Sequence, residues 1–199
     1  MYTLPTSVKT KDGNTYHIVN NGDYRVVLEC FKACNDSELS EDEKALACLL
    51  IFYDNIDNYD DLRPLSSNDL NDLITFMFDF FNCGQKSIGA NKNRKLIDWE
   101  QDEQMIVSAI NNVAHTEVRA LEYLHWWTFM GYYLSVGESV LSTVVSIRDK
   151  TARGKKLEKY EKEFKQNNPE YFMIKQEMTK EEKEFDDYIM SMWNSGKGD

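Results

Sequence analysis

Two adjacent tryptophans constrain the fold of this chain more than any other feature. Trp126 and Trp127 are half of the four tryptophans in the sequence, and they lie in a stretch whose pattern otherwise predicts a helix. Neighbouring side chains on a helix point about 100° apart, so one narrow face cannot bury both indoles. Each buried indole N–H also needs an acceptor. We therefore expect this segment to be packed on two sides, by its own domain and by a neighbouring helix or another subunit.

Composition limits the chain to a few classes of protein. A length of 199 residues suits one domain, or one domain with an appendage. Apolar residues make up 42% and aromatic residues 13%, with only three prolines and nine glycines, which favours a mostly helical protein with a sizeable core. The formal net charge of −11 argues against nucleic acid as the main partner, because phosphate contacts need a basic surface.

The sequence also carries an expectation about location. No stretch approaches the ~18 consecutive apolar residues that span a bilayer, and residues 1–10 lack the apolar centre of a secretion signal. Neither a membrane nor the exterior of the cell is therefore expected. In a cytosolic protein we expect the cysteines to be reduced, buried and apolar in character. They are Cys30, Cys34, Cys48 and Cys83.

The residue pattern predicts a mainly α, multi-helix domain that opens with a small N-terminal β-hairpin. Asp12-Gly13 between two alternating runs is typical of a hairpin turn. Later segments show apolar residues at helical spacing, and Ser40 with Glu43 forms a capping box. Residues 55–64 and 83–95 are predicted as loops. The predicted helices begin at Asp23, at Ser40, at Ser66 or Ser67, at Asp98 (to about 113), at about Leu121 (to 134) and at Val140 (to 147).

Beyond residue 150 the composition changes. We predict a helical core domain with the hairpin over residues 1–150, and a charged amphipathic helical extension over residues 151–199. Asn168-Pro169 should stop a lysine-rich helix, because the residue before proline avoids helical geometry. Such an extension can bury only a thin apolar stripe, so we expect it to fold against a partner or to protrude. Thr179 should cap a last helix that carries Phe185, Ile189, Met192 and Trp193.

Groups that could support catalysis or metal binding are scattered. Cys30 and Cys34 have the spacing of two zinc ligands on one helix face, but no second pair completes a site, so core thiols are favoured. His125 has no serine or cysteine in a nucleophile context, which favours a packed histidine over a general base. We therefore predict a protein that is not an enzyme and has no catalytic residue, cofactor or metal site.

Two charged clusters each admit two interpretations. Asp98 and Asp102 could serve acid–base or metal chemistry, but acidic residues also gather near helix N-termini and on solvated faces, which we favour. The basic residues after position 147 could touch nucleic acid. Interleaved glutamates weaken that field, so a solvated helix face or an acidic protein partner is favoured. These basic residues are Arg148, Lys150, Arg153, Lys155, Lys156, Lys159, Lys162 and Lys165.

An ordered set of short motifs runs through most of the chain. It begins with Leu4-Pro5 and the hairpin, continues with Asp23-Tyr24-Arg25 and Leu96-Ile97-Asp98-Trp99, and includes Leu124-His125-Trp126-Trp127-Thr128-Phe129. In this order the motifs resemble a family of tail proteins of long-tailed bacteriophages and of prophages of Gram-positive bacteria, often catalogued as bacteriophage gene product fifteen.

The resemblance implies a role in tail morphogenesis, most plausibly as a tail assembly chaperone in the host bacterial cytoplasm. Such proteins coat the long helical tape measure protein while tube subunits polymerise around it. The implied partner is the tape measure protein, and the major tail tube protein and a second copy of this chain are further candidates. The family contributes no catalytic residues. The alternatives are a structural subunit retained in the virion, and an enzyme or nucleic-acid binder, which would need a clustered site.

The aromatic run is the candidate interaction site under this hypothesis. Aromatic anchors dominate many protein interfaces, and an amphipathic helix of a partner can dock between them. Helix packing inside the domain and contact with another subunit remain equally favoured for the Trp126–Trp127 pair. The residues predicted at this packing or contact centre are Tyr123, Trp126, Trp127, Phe129, Met130 and Tyr133.

Overall fold

A two-stranded antiparallel hairpin opens the structure, as Asp12-Gly13 predicts. The structure is a computed structural model that describes residues 3–85 and 95–173. Strand β1 (Ser7–Lys9) pairs with strand β2 (Thr15–His17), and Val8 lies opposite Tyr16. Gly13 turns the chain at a φ of +92°, a backbone region that favours glycine.

Eight helices follow within the described residues, so the prediction of a mainly α protein with an N-terminal hairpin is confirmed. Short 3-10 turns at Val19–Gly22, Val118–Ala120 and Pro169–Tyr171 connect some of them. The helices are α1 (Tyr24–Asn35), α2 (Glu41–Phe52), α3 (Tyr59–Leu62), α4 (Ser67–Phe81), α5 (Glu103–Ala114), α6 (Trp126–Leu134), α7 (Val140–Ala152) and α8 (Lys159–Asn167).

Side-chain caps begin three of the long helices where the sequence places them. Asp23 accepts a hydrogen bond from Arg25 N–H at the start of α1, and Ser66 accepts from Asp69 N–H at the start of α4. Ser40 and Glu43 form the predicted capping box at the start of α2. Each cap satisfies an N–H group that has no acceptor within its helix.

The predicted bounds of α5, α6 and α7 need correction. The helix expected from Asp98 begins only at Glu103, because Asp98 Oδ1 accepts from the N–H groups of Glu100 (3.1 Å) and Gln101 (2.8 Å) and holds a turn. The helix expected from residue 121 begins only at Trp126. The helix expected to end at residue 147 runs on to Ala152. In addition, the predicted acidic loop over residues 55–64 contains the single turn α3.

The hydrophobic core lies where α1, α2, α4, α5 and α6 meet. Aromatic rings fill much of it. The Phe52 ring lies edge-on to Tyr53, Phe80 and Phe81, with ring centroids 4.9, 5.2 and 5.5 Å away. Edge-to-face pairs of this kind add to the free energy gained by burial alone. Core side chains at 2% exposure or less include Val27, Leu49, Phe52, Met77, Ile110 and Trp126.

All four cysteines are free thiols, as predicted, but they are not equally buried. Cys30 and Cys48 are fully buried, whereas Cys34 and Cys83 are half-buried. Cys34 Sγ lies 3.4 Å from Cys48 Sγ, where α1 packs on α2. Hydrogen bonding to Cys30 and burial raise the pKa of the Cys48 thiol to about 12, so it is protonated near pH 7. Cys30, Cys34 and Cys48 fill space between α1 and α2.

A buried ion pair joins α5 to α7. Arg148 and Asp102 are 5% and 1% exposed, and Arg148 donates to both carboxylate oxygens of Asp102, at 2.5 and 2.9 Å. Arg148 also donates to the carbonyl of Leu96 (2.9 Å) and to that of Tyr171 (2.8 Å from Nε). The expectation that Arg148 lies on a solvated face is therefore wrong, and Asp102 lies at a helix N-terminus, as expected, but is buried there. These bonds tie together the segment that leads into α5, helix α7 and the chain near Tyr171.

Helix α7 continues through residue 150, and Lys150 pairs with the buried Glu161 of α8 at 2.6 Å. The helix end predicted at Asn168-Pro169 is confirmed, because α8 ends at Asn167. The division into residues 1–150 and 151–199 stays a prediction. The last predicted helix, with Thr179 and Phe185, lies outside the described residues, as does most of the predicted loop 83–95.

None of the helices in residues 3–85 and 95–173 has the length and apolar character needed to cross a membrane.

Substitution of Asp102 by asparagine should destabilise the fold strongly. Asp102→Asn leaves the guanidinium of Arg148 buried without a counter-charge, which costs about 3–5 kcal/mol of unfolding free energy. The matched control is Asp149→Asn, next to Arg148 in α7, because Asp149 is less buried and pairs with the exposed Arg153 at 2.7 Å; such pairs contribute less than about 1 kcal/mol. Urea unfolding measures both. Equal losses in the two variants would contradict the role assigned to the buried pair.

Candidate functional site

Helix α6 starts at Trp126 because His125 caps it. His125 Nδ1 accepts a hydrogen bond from Trp127 N–H at 3.1 Å, which places the ring proton on Nε2, 3.1 Å from the carbonyl oxygen of Pro5. Burial lowers the pKa of His125 below its usual range, so the neutral form persists near pH 7. The predicted packed histidine is therefore found, and its task is to fix the start of α6 under the N-terminal segment.

Asp23 ties the start of α1 to the residue before that cap. One carboxylate oxygen of Asp23 accepts from Leu124 N–H (2.9 Å) and the other from Arg25 N–H (3.0 Å). In return, Tyr24 N–H donates to the carbonyl of Leu124 at 2.9 Å. These bonds hold Leu124 against the start of α1, which explains why α6 begins five residues later than the helical pattern predicts.

Both tryptophan N–H groups donate to consecutive carbonyls at the end of α4. Trp126 Nε1 lies 3.0 Å from the carbonyl oxygen of Phe81, and Trp127 Nε1 lies 2.9 Å from that of Phe80. The last carbonyls of a helix have no N–H donor within it. Trp126 supplies that donor to Phe81, and Trp127 adds a second donor to Phe80, which also accepts from Cys83 N–H. The two-sided packing predicted from the sequence is thus provided within one chain, by the end of α4 and by the core.

The two indole rings have different surroundings. Trp126 is 1% exposed and contacts the rings of Phe31, Trp99 and Phe129, with centroids 5.7, 5.9 and 5.7 Å away. Trp127 is half-buried and lies over Gly84, where an added Cβ would stand 3.3 Å from the indole. Trp126 is therefore a core residue, and Trp127 covers the end of α4.

Gly22 makes the approach of these elements possible. Its φ is +82°, and a Cβ at this position would lie 2.6 Å from Phe80 Cζ and 3.2 Å from His125 Nε2. No other residue type combines that backbone geometry with the absence of a side chain. Position 22 thus sets how closely the hairpin connection packs against α4 and the α6 cap.

The other predicted contact residues are divided between core and surface. Phe129 is 1% exposed and stacks on Tyr24 with centroids 4.4 Å apart. Tyr123 is 46% exposed, and its hydroxyl donates to the Asn21 carbonyl at 3.2 Å. Met130 and Tyr133 are partly buried. Because Trp126 and Phe129 are enclosed, they can affect a partner only by shaping the surface above them, and direct contact of this set with a partner stays a prediction.

The aromatic cluster reaches the surface in a groove between α1 and the segment 99–107. Two adjoining cavities of about 260 and 230 Å³ form this groove, and both are lined by Leu28, Glu29, Trp99 and Glu103. We call it the α1–α5 groove. The larger cavity is also lined by Tyr24, Ile106, Val107 and Phe129, and the smaller one by Phe31.

The rim of the α1–α5 groove carries equal numbers of acidic and basic side chains. Its acidic members are Glu29, Glu100 and Glu103, and its basic members are Arg25, Lys32 and Arg119. Arg119 reaches Glu103 at 3.7 Å, and Arg25 pairs with Asp23 at 3.1 Å. An apolar floor with a mixed, balanced rim is suited to one face of an amphipathic helix.

Sequence reasoning did not find this groove. Leu28 in α1 and Trp99 before α5 are both only partly buried. The turn at Asp98 moves Trp99 out of α5 and beside α1, which no local pattern indicates. Within the described residues, no group of three or more histidine, cysteine, aspartate or glutamate side chains is placed to hold a metal ion.

Comparison with known proteins shows a family match. A family model described as Bacteriophage Gp15 protein matches residues 3–173 of the chain. No curated protein and no solved structure matches it. The matched range contains α1, α5, α6 and the whole α1–α5 groove.

Replacing each tryptophan by phenylalanine should distinguish the contributions of the two indoles to the unfolding free energy. Trp126→Phe leaves the Phe81 carbonyl without its donor and opens a void in the core, so it should lower the unfolding free energy by about 2–4 kcal/mol. Trp127→Phe should cost about 1 kcal/mol, because the Phe80 carbonyl also accepts from Cys83 N–H at 3.0 Å. Denaturant unfolding of both variants measures this. A larger loss for Trp127→Phe would contradict the assignment.

Proposed function

Because the chain belongs to the Bacteriophage Gp15 protein family, we propose that it is a non-enzymatic tail assembly chaperone. Family membership makes it a bacteriophage protein and indicates a role in phage structure or morphogenesis. In the proposed function, the chain binds the tape measure protein in the host bacterial cytoplasm. It keeps that protein soluble while tail tube subunits polymerise around it.

The observation that carries this proposal is the open α1–α5 groove. A tape measure protein is a long helical molecule whose apolar stripes are exposed until the tube encloses them, and exposed stripes of that size aggregate. The groove offers aromatic and aliphatic side chains, including Trp99 and Leu28, at the base of a charged rim. One turn or two of an amphipathic helix could bury its apolar face there.

The charge of the chain supports the second part of the proposed function, which is to keep the tape measure protein soluble. A formal net charge of −11 makes coated complexes repel one another, which opposes their association. Each groove is short, so each contact is weak by itself. Many copies along one long partner would then hold it by avidity, and tube subunits could displace the copies one at a time. Contact with the major tail tube protein or between copies of this chain would fit the same scheme.

A charge placed on the groove floor should abolish solubilisation of the tape measure. Leu28→Glu puts a carboxylate among Phe31, Trp99 and Ile106, which a docked apolar face could not desolvate. We expect each contact to weaken at least about tenfold, which is about 1.4 kcal/mol, and the yield of soluble tape measure on co-expression to fall with it. Because Leu28 is only partly buried, the variant itself should remain folded by circular dichroism.

The matched control is Leu134→Glu, since Leu134 is 68% exposed and lies at the end of α6, outside the groove. It should leave the yield of soluble tape measure unchanged. If folded Leu28→Glu solubilises the tape measure as well as the unmodified chain does, the groove is not the binding site. The unmodified chain could instead leave the tape measure insoluble and be found in purified virions at stoichiometric level. That result would replace the chaperone hypothesis with the structural-subunit hypothesis.

A further inference from the structure

We propose that the chain's own C-terminal segment, residues 174–199, docks in the α1–α5 groove and competes there with an external helix. Three observations support this occupant: the point at which the chain leaves the described region, the length of the segment, and its residue pattern. The docking itself does not depend on the proposed function. Only its consequence for the tape measure rests on that function.

The chain leaves the described region beside the groove. Gln101 Nε2 donates to the carbonyl of Met173 at 2.8 Å, and to that of Glu170 at 3.4 Å. Gln101 belongs to the same turn as Trp99 and Glu100, which line the smaller cavity. The buried Arg148 fixes this position further, because it donates to the Tyr171 carbonyl at 2.8 Å. The described residues therefore end, at Met173, next to one end of the groove.

The length of the segment suits the distance to be covered. Eleven residues, 174–184, separate Met173 from Phe185. They span ~16 Å as a helix or up to ~38 Å extended. Helix α1, which forms one wall, has 12 residues and is ~18 Å long. The nine residues 185–193 need ~13 Å in helical form, so they can lie along the groove without strain in the connection.

The residue pattern of the segment fits the groove floor. Phe185, Ile189, Met192 and Trp193 have the i, i+4, i+7, i+8 spacing of one helix face. The opposite face carries charges of both signs, including Lys183 and Asp187, which suits the balanced rim. Met192 would lie among aromatic rings, an environment in which a thioether makes favourable contacts. No other part of the sequence outside the described residues combines this pattern with this position.

Intramolecular docking would make the chaperone selective. A tethered helix acts at an effective concentration of about millimolar, so a single weak external helix would not displace it. A long partner with many binding segments could displace it from many copies. In the absence of such a partner, the segment would cover the aromatic floor and prevent aggregation of the chaperone itself.

Site-specific photo-crosslinking in the full-length chain tests the docking. A benzophenone amino acid replaces Ile189 on the apolar face or, as the matched control, Asp187 on the opposite face. Residue 189 should crosslink to residues 24–35 and 99–107, at least about fivefold more than residue 187 does. A mixture of isotopically light and heavy chains distinguishes the partners. Crosslinks confined to chains of one isotope support docking within the chain.

Mixed-isotope crosslinks in the groove would show that a second copy is the occupant and would overturn the proposal. Crosslinks at other surfaces, or equal crosslinking from both positions, would overturn it too. This experiment contains no tape measure, so its failure leaves the chaperone function to the co-expression test. Added tape measure should lower the crosslink yield from residue 189 several-fold, and an unchanged yield would overturn the competition.

Discussion

Two hydrogen bonds from adjacent indoles to adjacent carbonyls determine how the helices of this protein are arranged. Trp126 and Trp127 at the start of α6 donate to Phe81 and Phe80 at the end of α4. A helix start and a helix end each leave backbone groups without partners, and here one end supplies side-chain donors to the other. With α6 fixed in this way, Phe129 stacks on Tyr24 of α1, and the Trp126 ring packs edge-on against Trp99. The floor of the α1–α5 groove follows from these contacts.

Buried charges complete the structure by joining separate segments of the chain. Asp23 joins α1 to residue 124, and the Arg148–Asp102 pair joins α5, α7 and the chain near Tyr171. Such pairs cost desolvation free energy that hydrogen bonds must offset. Arg148 meets that condition, because its bonds go to Asp102 and to two backbone carbonyls. The same pair fixes Tyr171, close to Met173, where the described residues end beside the groove.

Local signals in the sequence predicted the parts of the fold that depend on local chemistry. The hairpin turn at Gly13, the caps at Asp23, Ser40 and Ser66, and the break before Pro169 are all where the sequence indicates. The start of α6 differs from the prediction because Leu124 is bonded to Asp23 at the start of α1, about 100 residues earlier. Arg148 was read as a solvated cation because its partner Asp102 lies 46 residues away. The groove was missed for the same reason, since its walls come from distant segments.

The most direct test of the account is hydrogen exchange on the chain bound to the tape measure protein, compared with the free chain. Binding in the groove predicts slower exchange at residues 25–35 and 99–107, with little change in α7 and α8. Amides of the hairpin should also exchange as they do in the free chain. Protection confined to another surface, or no protection in a complex that stays soluble, would contradict the claim that the α1–α5 groove receives the tape measure.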